Sequence, residues 1–490
     1  MNKRRYTGLS KSRFCYGLQC PKQLWLRVHE PDAPELAVDP ALQAVFDRGH
    51  RVGEAARERF PGGVLVDGDY WQVKEKVEET RRAIAGGAPA VFEAAFQEDG
   101  VFVAVDVLER RRRGFALAEV KSTLDVKEPH VPDVAIQLHV LRRTGLNVRR
   151  AEVMHLNREC RHPDLSNLFV RSDVTGEAEE LLPGLPRRIR QMQRVLDGPM
   201  PEVEVGPHCS DPYECPFVER CFPRLPRHHV STLHRIGARA AALEAEGYRT
   251  IRQLPVDIEL SEVAERQVHA VRSGKLVVEP GLGRALECIQ APIAFLDFET
   301  VNPAIPVWKG CHPYEHVPVQ MSCHVVGARG GLEHHEHLAD GPGDPRPALA
   351  AAVVRACAGA RTVVAWNARF ERGCLEHLAA AVPSRRAALG EVADRLVDLL
   401  PIVRDHVYHP DFLGSFSQKA VLPALVPGLG YEDLEIGEGA TASAILEGLL
   451  TAPEALSAAE RKRLRKELLR YCERDTLGMV KMYEALRRAA

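Results

Sequence analysis

Residues 101–122 place two apolar runs on either side of four consecutive arginines. Each run alternates at a period of two, which is the pattern of a β-strand with one buried face. The arginines interrupt that pattern where a turn would join the two strands. The stretch therefore predicts an antiparallel β-hairpin, and the first half of the chain is expected to build an α/β domain around it.

Three ionisable side chains are brought together by that hairpin. Glu119 and Lys121 are two residues apart on the second strand and share a face, and Asp106 lies on the neighbouring strand. Carboxylate oxygens are ligands that Mg²⁺ and Mn²⁺ prefer, and a lysine beside them can orient water or stabilise charge on a phosphate. A cross-strand ion pair on an exposed strand is the alternative interpretation.

Asp106 followed by Glu119-Val-Lys121 resembles the PD-(D/E)xK nucleases of the RecB type. The resemblance implies a restriction-endonuclease-like fold and phosphodiester hydrolysis. It also implies that Asp106 and Glu119 hold the metal ion, while Lys121 acts on the water or on the charge of the transition state.

Two flanking segments extend this resemblance. RGHRVGEAA supplies His50 at the position of the family's motif-one histidine, and DVAIQLHVLRR supplies Gln137 where the family has Gln-x-x-x-Tyr, with Leu141 in place of the tyrosine. By resemblance, His50 is an additional metal ligand and Gln137 positions the substrate. Glu93, on a predicted strand over 91–96, is interpreted as a surface carboxylate, and a position at the metal site is the alternative.

The composition is that of an ordinary globular protein. The chain has 490 residues, of which 45% are hydrophobic and 27% charged, so two or three domains with sizeable cores are expected. A formal net charge of −2 does not indicate a nucleic-acid binder, but arginines cluster at 110–113 and 187–194. Such local patches can bind phosphate, although solvated helix faces are the alternative.

The sequence contains no segment that predicts a membrane span or a signal peptide. No stretch approaches about 18 uncharged apolar residues, so a cytoplasmic protein without a membrane partner is expected. Twelve cysteines in such a chain are expected to be reduced, and clustered ones indicate metal ligation before disulfides.

Four of these cysteines bracket the first half of the chain. Cys20 lies near the start, and Cys209, Cys215 and Cys221 lie together in HCSDPYECPFVERCF. One distant cysteine with a group of three resembles the iron–sulfur RecB-like nucleases, in which a cluster staples the ends of the domain. The resemblance implies that these four bind a [4Fe–4S] cluster. Four thiolates equally suit tetrahedral Zn²⁺, and unliganded thiols are the remaining interpretation.

Residues 226–290 are predicted to be a small helical segment. STLHRIGARAAALEAEGYRTIRQLP places two helical stretches about a glycine and resembles a helix-hairpin-helix unit, which grips phosphate through backbone N–H groups. A plain helical linker fits the pattern equally well.

A second set of acidic residues lies in the C-terminal part of the chain. Asp297 and Glu299 end an apolar strand in APIAFLDFET, and Glu371 enters a helix after the strand in VVAWNARFERG. Tyr471 and Asp475 are four residues apart and share one helix face. Two carboxylates on one strand face can point at a single metal ion, whereas exposed acids at a strand end are the alternative.

In this order, the three segments resemble the DEDD exonucleases of the DnaQ-like, ribonuclease H-like fold, in the subclass defined by Tyr-x-x-x-Asp. The resemblance implies that Tyr471 positions the attacking water and that four carboxylates hold the metal ions, namely Asp297, Glu299, Glu371 and Asp475. Glu371 stands where the second motif of that family normally has Asp.

Other polar residues in this half receive weaker interpretations. His334, His335 and His337 are predicted to lie in a polar strand or loop rather than at a metal. Asp398 is interpreted as a helix or turn acid, with support of the metal pocket as the alternative, and residues 417–419 are interpreted as lining the substrate path.

The whole chain resembles a bacterial family of RecB-like nucleases joined to a ribonuclease H-like domain. The expected fold is therefore α/β. It comprises a PD-(D/E)xK nuclease domain over 1–225, a helical linker over 226–290 and a ribonuclease H-like exonuclease domain over 291–490.

The expected function is that of a nuclease with two phosphodiesterase sites, each using Mg²⁺ or Mn²⁺. DNA with single-stranded ends is the favoured substrate and RNA a possible one, in repair, recombination or defence. The alternatives are a nucleic-acid-binding protein with one degenerate site, a ribonuclease, and a zinc-stapled interaction protein.

Overall fold

The computed structural model describes residues 7–69, 71–222 and 224–490, and the protein is α/β with mixed sheets. The chain forms two compact units. The first unit holds Met1–Arg224, Pro303–Val307 and Cys311–Tyr314, and the second holds Leu225–Asn302, Trp308–Gly310 and Glu315–Ala490. The segment 226–290 thus lies within the second unit.

The first unit contains seven described strands and eight described α-helices. The strands are β1 (Leu9–Ser10), β2 (Val64–Leu65), β3 (Ala90–Glu98), β4 (Val101–Arg111), β5 (Gly114–Lys121), β6 (Val148–Leu156) and β7 (Phe169–Asp173). The helices are α1 (Lys11–Gln19), α2 (Pro21–His29), α3 (Pro40–Arg57), α4 (Val73–Ala85), α5 (His130–Arg143), α6 (Thr175–Leu181), α7 (Leu185–Asp197) and α8 (Val218–Cys221).

The sheet of this unit is built around the predicted hairpin. Its strand order is β2-β3-β4-β5-β6-β7, with β1 paired to β4. β4 and β5 are antiparallel, as predicted, and are joined through Arg112 and Arg113. Gly114 has a φ of 102°, and a Cβ there would lie 2.3 Å from the carbonyl oxygen of Asn147. Only glycine fits the end of this turn.

Helix α5 is the central helix of the first unit. Ten of its residues are buried, and its apolar side chains join those of β3, β4, β5 and β6 in one core. The shorter α1 and α2 meet at Cys20, where the backbone is extended. Pro21 begins α2, because proline lacks only an N–H that the first helical turn leaves unbonded.

The second unit contains seven described strands and ten described α-helices. The strands are β8 (Val277–Val278), β9 (Ile293–Val301), β10 (Val317–Val326), β11 (Leu332–Leu338), β12 (Thr362–Ala365), β13 (Leu396–Asp398) and β14 (Val407–Tyr408). The helices are α9 (Arg239–Ala245), α10 (Glu262–Ser273), α11 (Leu282–Leu286), α12 (Arg346–Ala356), α13 (Ala368–Ala381), α14 (Arg386–Asp394), α15 (Leu399–His406), α16 (Gln418–Leu425), α17 (Gly439–Thr451) and α18 (Ala458–Ala489).

The main sheet of the second unit has the order β11-β10-β9-β12-β13. β9, β10 and β11 are antiparallel, whereas β12 and β13 run parallel to β9. Leu296 and Phe298 pack with α12, α13 and α14 on one face. Because side chains alternate along a strand, Asp297 and Glu299 point to the other face, where Phe295 meets Tyr483 of α18.

Residues 225–290 have a small core of their own. Val230, Leu243, Ile251 and Val271 are buried together around α9 and α10. Among the helices in the described part of the chain, none combines the length and the apolar character that crossing a bilayer requires.

Candidate functional sites

The Asp106 site is a cluster of charged side chains in the first unit, formed by Lys11, Asp106, Glu119, Lys121 and Asp133. Strands β4 and β5 pair as far as Val107 and Ala118. Beyond that point, Oδ2 of Asp106 accepts a hydrogen bond from the backbone N–H of Val120 at 2.7 Å. This bond fixes the Asp106 carboxylate beside the Glu-Val-Lys segment.

Glu119 is the centre of this cluster, with only 2% of its surface exposed. Its Oε1 accepts hydrogen bonds from Lys11 Nζ at 2.7 Å and from Lys121 Nζ at 2.8 Å. Its Oε2 accepts one from Gln137 Nε2 at 2.8 Å. Lys121 also donates to Asp133 Oδ2 at 2.5 Å. The structure therefore brings Asp106, Glu119, Lys121 and Gln137 together, as the sequence predicts.

Burial and neighbouring charges set the protonation of these groups. Burial raises the pKa of Asp106 to about 7, and the negative charge of Glu119 adds to this effect. Burial also disfavours the charged form of Glu119, but the ammonium groups of Lys11 and Lys121 hold its pKa below the ordinary value. The pKa of Asp133 is raised by burial and by Glu119.

Lys11 and Asp133 are members of the site that the sequence motifs do not include. Lys11 is 108 residues away from Glu119 along the chain, and no local pattern connects the two. Asp133 could have been identified from the sequence, because it precedes Gln137 by four residues and therefore lies on the same face of α5.

The structure places His50 and Glu93 differently from the sequence prediction. His50 lies on α3 with an exposed side chain, and among the described residues no hydrogen bond or ion pair joins it to the Asp106 site. Glu93 is half-buried and its negative charge raises the pKa of Asp106. Its φ of 52° is unusual for a residue inside a strand. The backbone at Glu93 is therefore strained, and it lies next to a charged cluster.

A groove of about 640 Å³ opens beside the Asp106 site. Lys11, Lys121 and Asp133 form part of its wall, and aromatic and proline residues form much of the rest. These include Tyr16, Pro129 and Tyr213. Both lysines are therefore accessible from this groove.

The four predicted cysteine ligands line a single cavity. Cys20 and Cys215 are buried, and Cys209 and Cys221 are half-buried. Burial raises the pKa of Cys20, whereas hydrogen bonds from the backbone at Gln23 and Lys22 oppose that shift. Backbone N–H groups pointing at a sulfur favour its thiolate, the form that binds metal.

Hydrogen bonds also join the two ends of the first unit around this cavity. Gln19 Nε2 donates to the carbonyl oxygen of His208 at 2.9 Å. Arg220 donates to Glu30 at 2.5 Å and to Glu35 at 2.8 Å. The cysteines are therefore held near one another by contacts that need no metal.

The Asp297 site is a cluster of acidic and tyrosine side chains in the second unit, formed by Asp297, Glu299, Glu371, Tyr431, Tyr471 and Asp475. Ligand atoms of Asp297, Glu299 and Cys472 lie within 4.8 Å of one another. Tyr471 and Asp475 are buried one turn apart on α18, which packs against β9.

Burial raises the pKa of each of the four carboxylates. Burial raises the pKa of Glu299 to about 8, and the charge of Asp475 adds to the shift. Burial likewise raises the pKa of Glu371 to about 8 and that of Asp475 to about 6. The pKa of Asp297 is raised by burial and then by its acidic neighbours. The positive charge of Lys419 lowers the pKa values of Glu299 and Asp475, and that of Arg474 also lowers the pKa of Asp475.

Glu371 enters the site from the first turn of α13. It is 2% exposed, and its Oε2 has no hydrogen-bond partner among the described residues. Asp398 caps α15, as predicted, by accepting from the N–H of Leu400 at 3.0 Å, and it also accepts from the N–H of Asn367 at 3.0 Å. Asp398 therefore fixes the turn that presents Glu371.

Tyr431 belongs to the site although no motif includes it. Its hydroxyl donates to Asp475 Oδ1 at 2.5 Å, across 44 residues of sequence. Lys419 Nζ lies 5.8 Å from the Tyr431 ring centre and 5.6 Å from that of Tyr471. Gln418 Nε2 donates to the carbonyl oxygen of Asp475 at 2.6 Å. Residues 418 and 419 thus lie beside Asp475.

Comparison with known proteins gives one partial match. Residues 294–417 match a family model described as a domain of unknown function, DUF2779. No curated protein matches the chain. The matched span includes Asp297, Glu299 and Glu371 but ends before α18, which supplies Tyr471 and Asp475.

Proposed function

We propose that this protein is a divalent-metal-dependent nuclease that hydrolyses phosphodiester bonds, with DNA as the favoured substrate and exonucleolytic action at the Asp297 site. The observation that carries the proposal is the convergence of four carboxylates from three separate segments on one buried position. Such a concentration of negative charge is costly without a cation.

The residues of the Asp297 site fit Mg²⁺ or Mn²⁺. All four acidic groups offer the hard oxygen ligands that these ions prefer, and Glu371 Oε2 is buried without a partner. Asp297, Glu299, Glu371 and Asp475 would hold the metal. A bound ion would supply an activated water and neutralise the leaving oxygen.

The remaining residues of this site would handle protons and substrate charge. Burial and the neighbouring carboxylates raise the pKa of Tyr471, so its phenol stays protonated at neutral pH and can orient a water molecule. Tyr431 holds Asp475 in one orientation. Lys419, which is 34% exposed, is placed to meet a substrate phosphate.

The Asp106 site also fits a cation, because three carboxylates face two lysines there. Asp106 and Glu119 would hold the metal, whereas His50, the additional ligand that the resemblance implies, has no bond to this site among the described residues. Gln137 orients Glu119, and Lys121 would stabilise charge on the phosphate. Lys11 supplies a second positive charge at the same carboxylate.

The architectures proposed for the two units are a PD-(D/E)xK core and a ribonuclease H-like fold. The β4–β5 hairpin carrying Asp106 and Glu119 supports the first. The mixed sheet with Asp297 and Glu299 on its central strand supports the second.

The cysteine cavity is proposed to hold a [4Fe–4S] cluster. Tetrahedral zinc with bonds of about 2.3 Å brings its sulfur ligands to about 3.8 Å from one another. In the described residues, no three of these sulfurs lie within 4.8 Å of one another. The wider spacing favours the larger cluster over a single zinc ion.

The test is a nuclease assay on end-labelled single-stranded DNA and RNA with Mg²⁺ or Mn²⁺. Lys121→Ala and Asp475→Asn are compared with the wild type, and Lys74→Ala and Asp257→Asn serve as controls because both residues are exposed. Each site variant should lose about 10²- to 10³-fold in one activity, which is typical of removing a group that stabilises transition-state charge.

The nuclease activities that Lys121→Ala and Asp475→Asn lose show whether both sites work. Loss of a different polarity or substrate in each variant would support two working sites. Wild-type digestion by both site variants would contradict the proposal.

A second candidate function is hydrolysis at the Asp297 site alone, with the first unit serving to bind nucleic acid. The observation that favours it is that both oxygens of Glu119 already accept hydrogen bonds from protein groups. In that case, Lys121→Ala would weaken binding and leave the cleavage rate at saturating substrate unchanged.

A further inference from the structure

A histidine pair next to the Asp297 site has no role in the function proposed above. His324 on β10 and His334 on β11 are directly opposite each other in the antiparallel pairing. Their rings are stacked, with centres 4.4 Å apart. Ligand atoms of these two histidines and of Glu473 on α18 lie within 4.8 Å of one another.

Hydrogen bonds determine which ring nitrogens carry the protons. The hydroxyl of Thr476 donates to the backbone carbonyl oxygen of Glu473 at 3.2 Å. A carbonyl oxygen can only accept a hydrogen bond. With the Thr476 proton on that carbonyl, Thr476 Oγ1 accepts from Ser322 Oγ at 2.7 Å and from His324 Nδ1 at 2.8 Å. Since the Ser322 proton is used, Ser322 Oγ accepts from His334 Nε2 at 2.9 Å.

This arrangement leaves one lone pair on each imidazole. His324 Nε2 and His334 Nδ1 are unprotonated and take no part in the hydroxyl network. His334 Nδ1 lies 3.9 Å from Glu473 Oε1, on the side of the ring away from Ser322. Metal-binding histidines commonly donate their other N–H to an oxygen, which fixes the ring, and both rings here do so.

We infer that His324, His334 and Glu473 form a zinc site. Two imidazoles and one carboxylate suit Zn²⁺, whereas Mg²⁺ and Ca²⁺ prefer sites made of oxygen alone. His324 is 3% exposed and His334 and Glu473 are more exposed, so the ion would enter from the solvent side. The inference goes beyond the proposed nuclease function and does not depend on it.

Zinc at this position would tie three elements of the second unit together. β10 and β11 supply the histidines, and α18 supplies Glu473 between Tyr471 and Asp475. A bound ion would thereby hold α18 against the sheet on the face that carries Asp297. The expected consequence is a higher thermal midpoint of the second unit, because the ion binds only the folded arrangement.

The test counts zinc on the purified full-length protein. Metal-depleted wild type, His334→Ala and His335→Ala are dialysed against buffered Zn²⁺ with millimolar Mg²⁺ to fill the carboxylate sites, and zinc is measured by mass spectrometry. His335 is the matched control, because it is the next residue on β11, its side chain points to the other sheet face, and it is exposed. The cysteines are the same in all three proteins.

His334→Ala should bind about one zinc equivalent fewer than the wild type, and His335→Ala should bind as much as the wild type. The zinc-dependent rise in thermal midpoint should disappear only in His334→Ala. Equal zinc in all three proteins, or equal loss in both variants, would overturn the inference.

A second variant keeps the inference testable if His334→Ala fails to fold. Glu473→Gln removes a ligand whose side chain is 44% exposed, so the fold is retained. Its zinc affinity should fall by at least about tenfold, and unchanged affinity would overturn the inference. Because no nucleic acid is present, a negative result here leaves the nuclease proposal untouched, and a failed nuclease assay leaves this one untouched.

Discussion

The two acidic sites of this protein differ in how their negative charge is balanced. At the Asp106 site, three carboxylates are matched by Lys11 and Lys121, which bond directly to Glu119. At the Asp297 site, the nearby cations Lys419 and Arg474 pair with Glu438 and Asp433 instead, and among the described residues neither forms an ion pair with the four carboxylates. The first site carries its own counter-charges, whereas the second requires them from outside.

The difference appears in the protonation of the two sites. The pKa of Glu119 is lowered because the lysines stabilise its charge, whereas the pKa values of Glu299 and Glu371 are raised to about 8. Removing a charge should therefore have opposite consequences for stability in the two units. Four predictions test that contrast.

The largest expected effect is loss of stability in Glu119→Gln. The substitution leaves Lys11 and Lys121 beside a neutral amide in a partly buried site, and breaking a buried ion pair costs about 3 to 5 kcal/mol. Calorimetry of the full chain measures the change, and hydrogen exchange of peptides from β5 assigns it to the first unit. Glu159→Gln, at an exposed position, is the control. Unchanged hydrogen exchange in β5 would contradict the prediction, because it would show that neutralising Glu119 beside Lys11 and Lys121 does not destabilise the first unit.

The next effect is stabilisation of the second unit by metal. At pH 8, Mn²⁺ at about 100 times its Kd should stabilise that unit by about 2.7 kcal/mol and raise its thermal midpoint by about 5–10 °C. The rise should be much smaller at about pH 5, where Glu299 and Glu371 are protonated because their pKa values are about 8. Sodium chloride at equal ionic strength is the control. A larger rise at the lower pH would contradict the charge assignment.

A smaller effect of opposite sign to the first is expected for Glu299→Gln without metal. Because the folded pKa of Glu299 is about 8, its contribution to stability is present below its unfolded pKa, about 4.5, and is lost as pH rises through 8. The variant should therefore be more stable than wild type by about 1 to 3 kcal/mol at pH 8 and equal to it at pH 4.5. Denaturant unfolding at both values measures this, with Glu259→Gln as an exposed control. Destabilisation at pH 8 would refute it.

The smallest effect is expected for Tyr431→Phe. Loss of the hydroxyl that donates to Asp475 should cost about 1 kcal/mol, since the ring is retained and one hydrogen bond is removed. Asp475 should also titrate at higher pH, because Tyr431 lowers its pKa. Mn²⁺ affinity is measured as a function of pH, and the pH below which binding is lost should be higher in the variant than in the wild type. Tyr248→Phe is a control outside the site, and equal profiles for both variants would remove Tyr431 from the Asp297 site.

Much of both candidate sites follows from local sequence patterns. Alternation along β5 places Glu119 and Lys121 on one face, and alternation along β9 does the same for Asp297 and Glu299. The four-residue spacing on α18 aligns Tyr471 with Asp475. These relations depend only on the repeat of a strand or helix, so the sequence by itself determined them.

The tertiary structure alone decided which distant groups complete each site. Lys11 reaches Glu119 across 108 residues, and Tyr431 reaches Asp475 across 44. The pairing of His324 with His334 depends on the register of β10 and β11. No periodicity links these positions, because their proximity arises from how helices and strands pack. Local repeats therefore determined the motifs, and packing decided the counter-charges and the hydrogen bonds that set their chemistry.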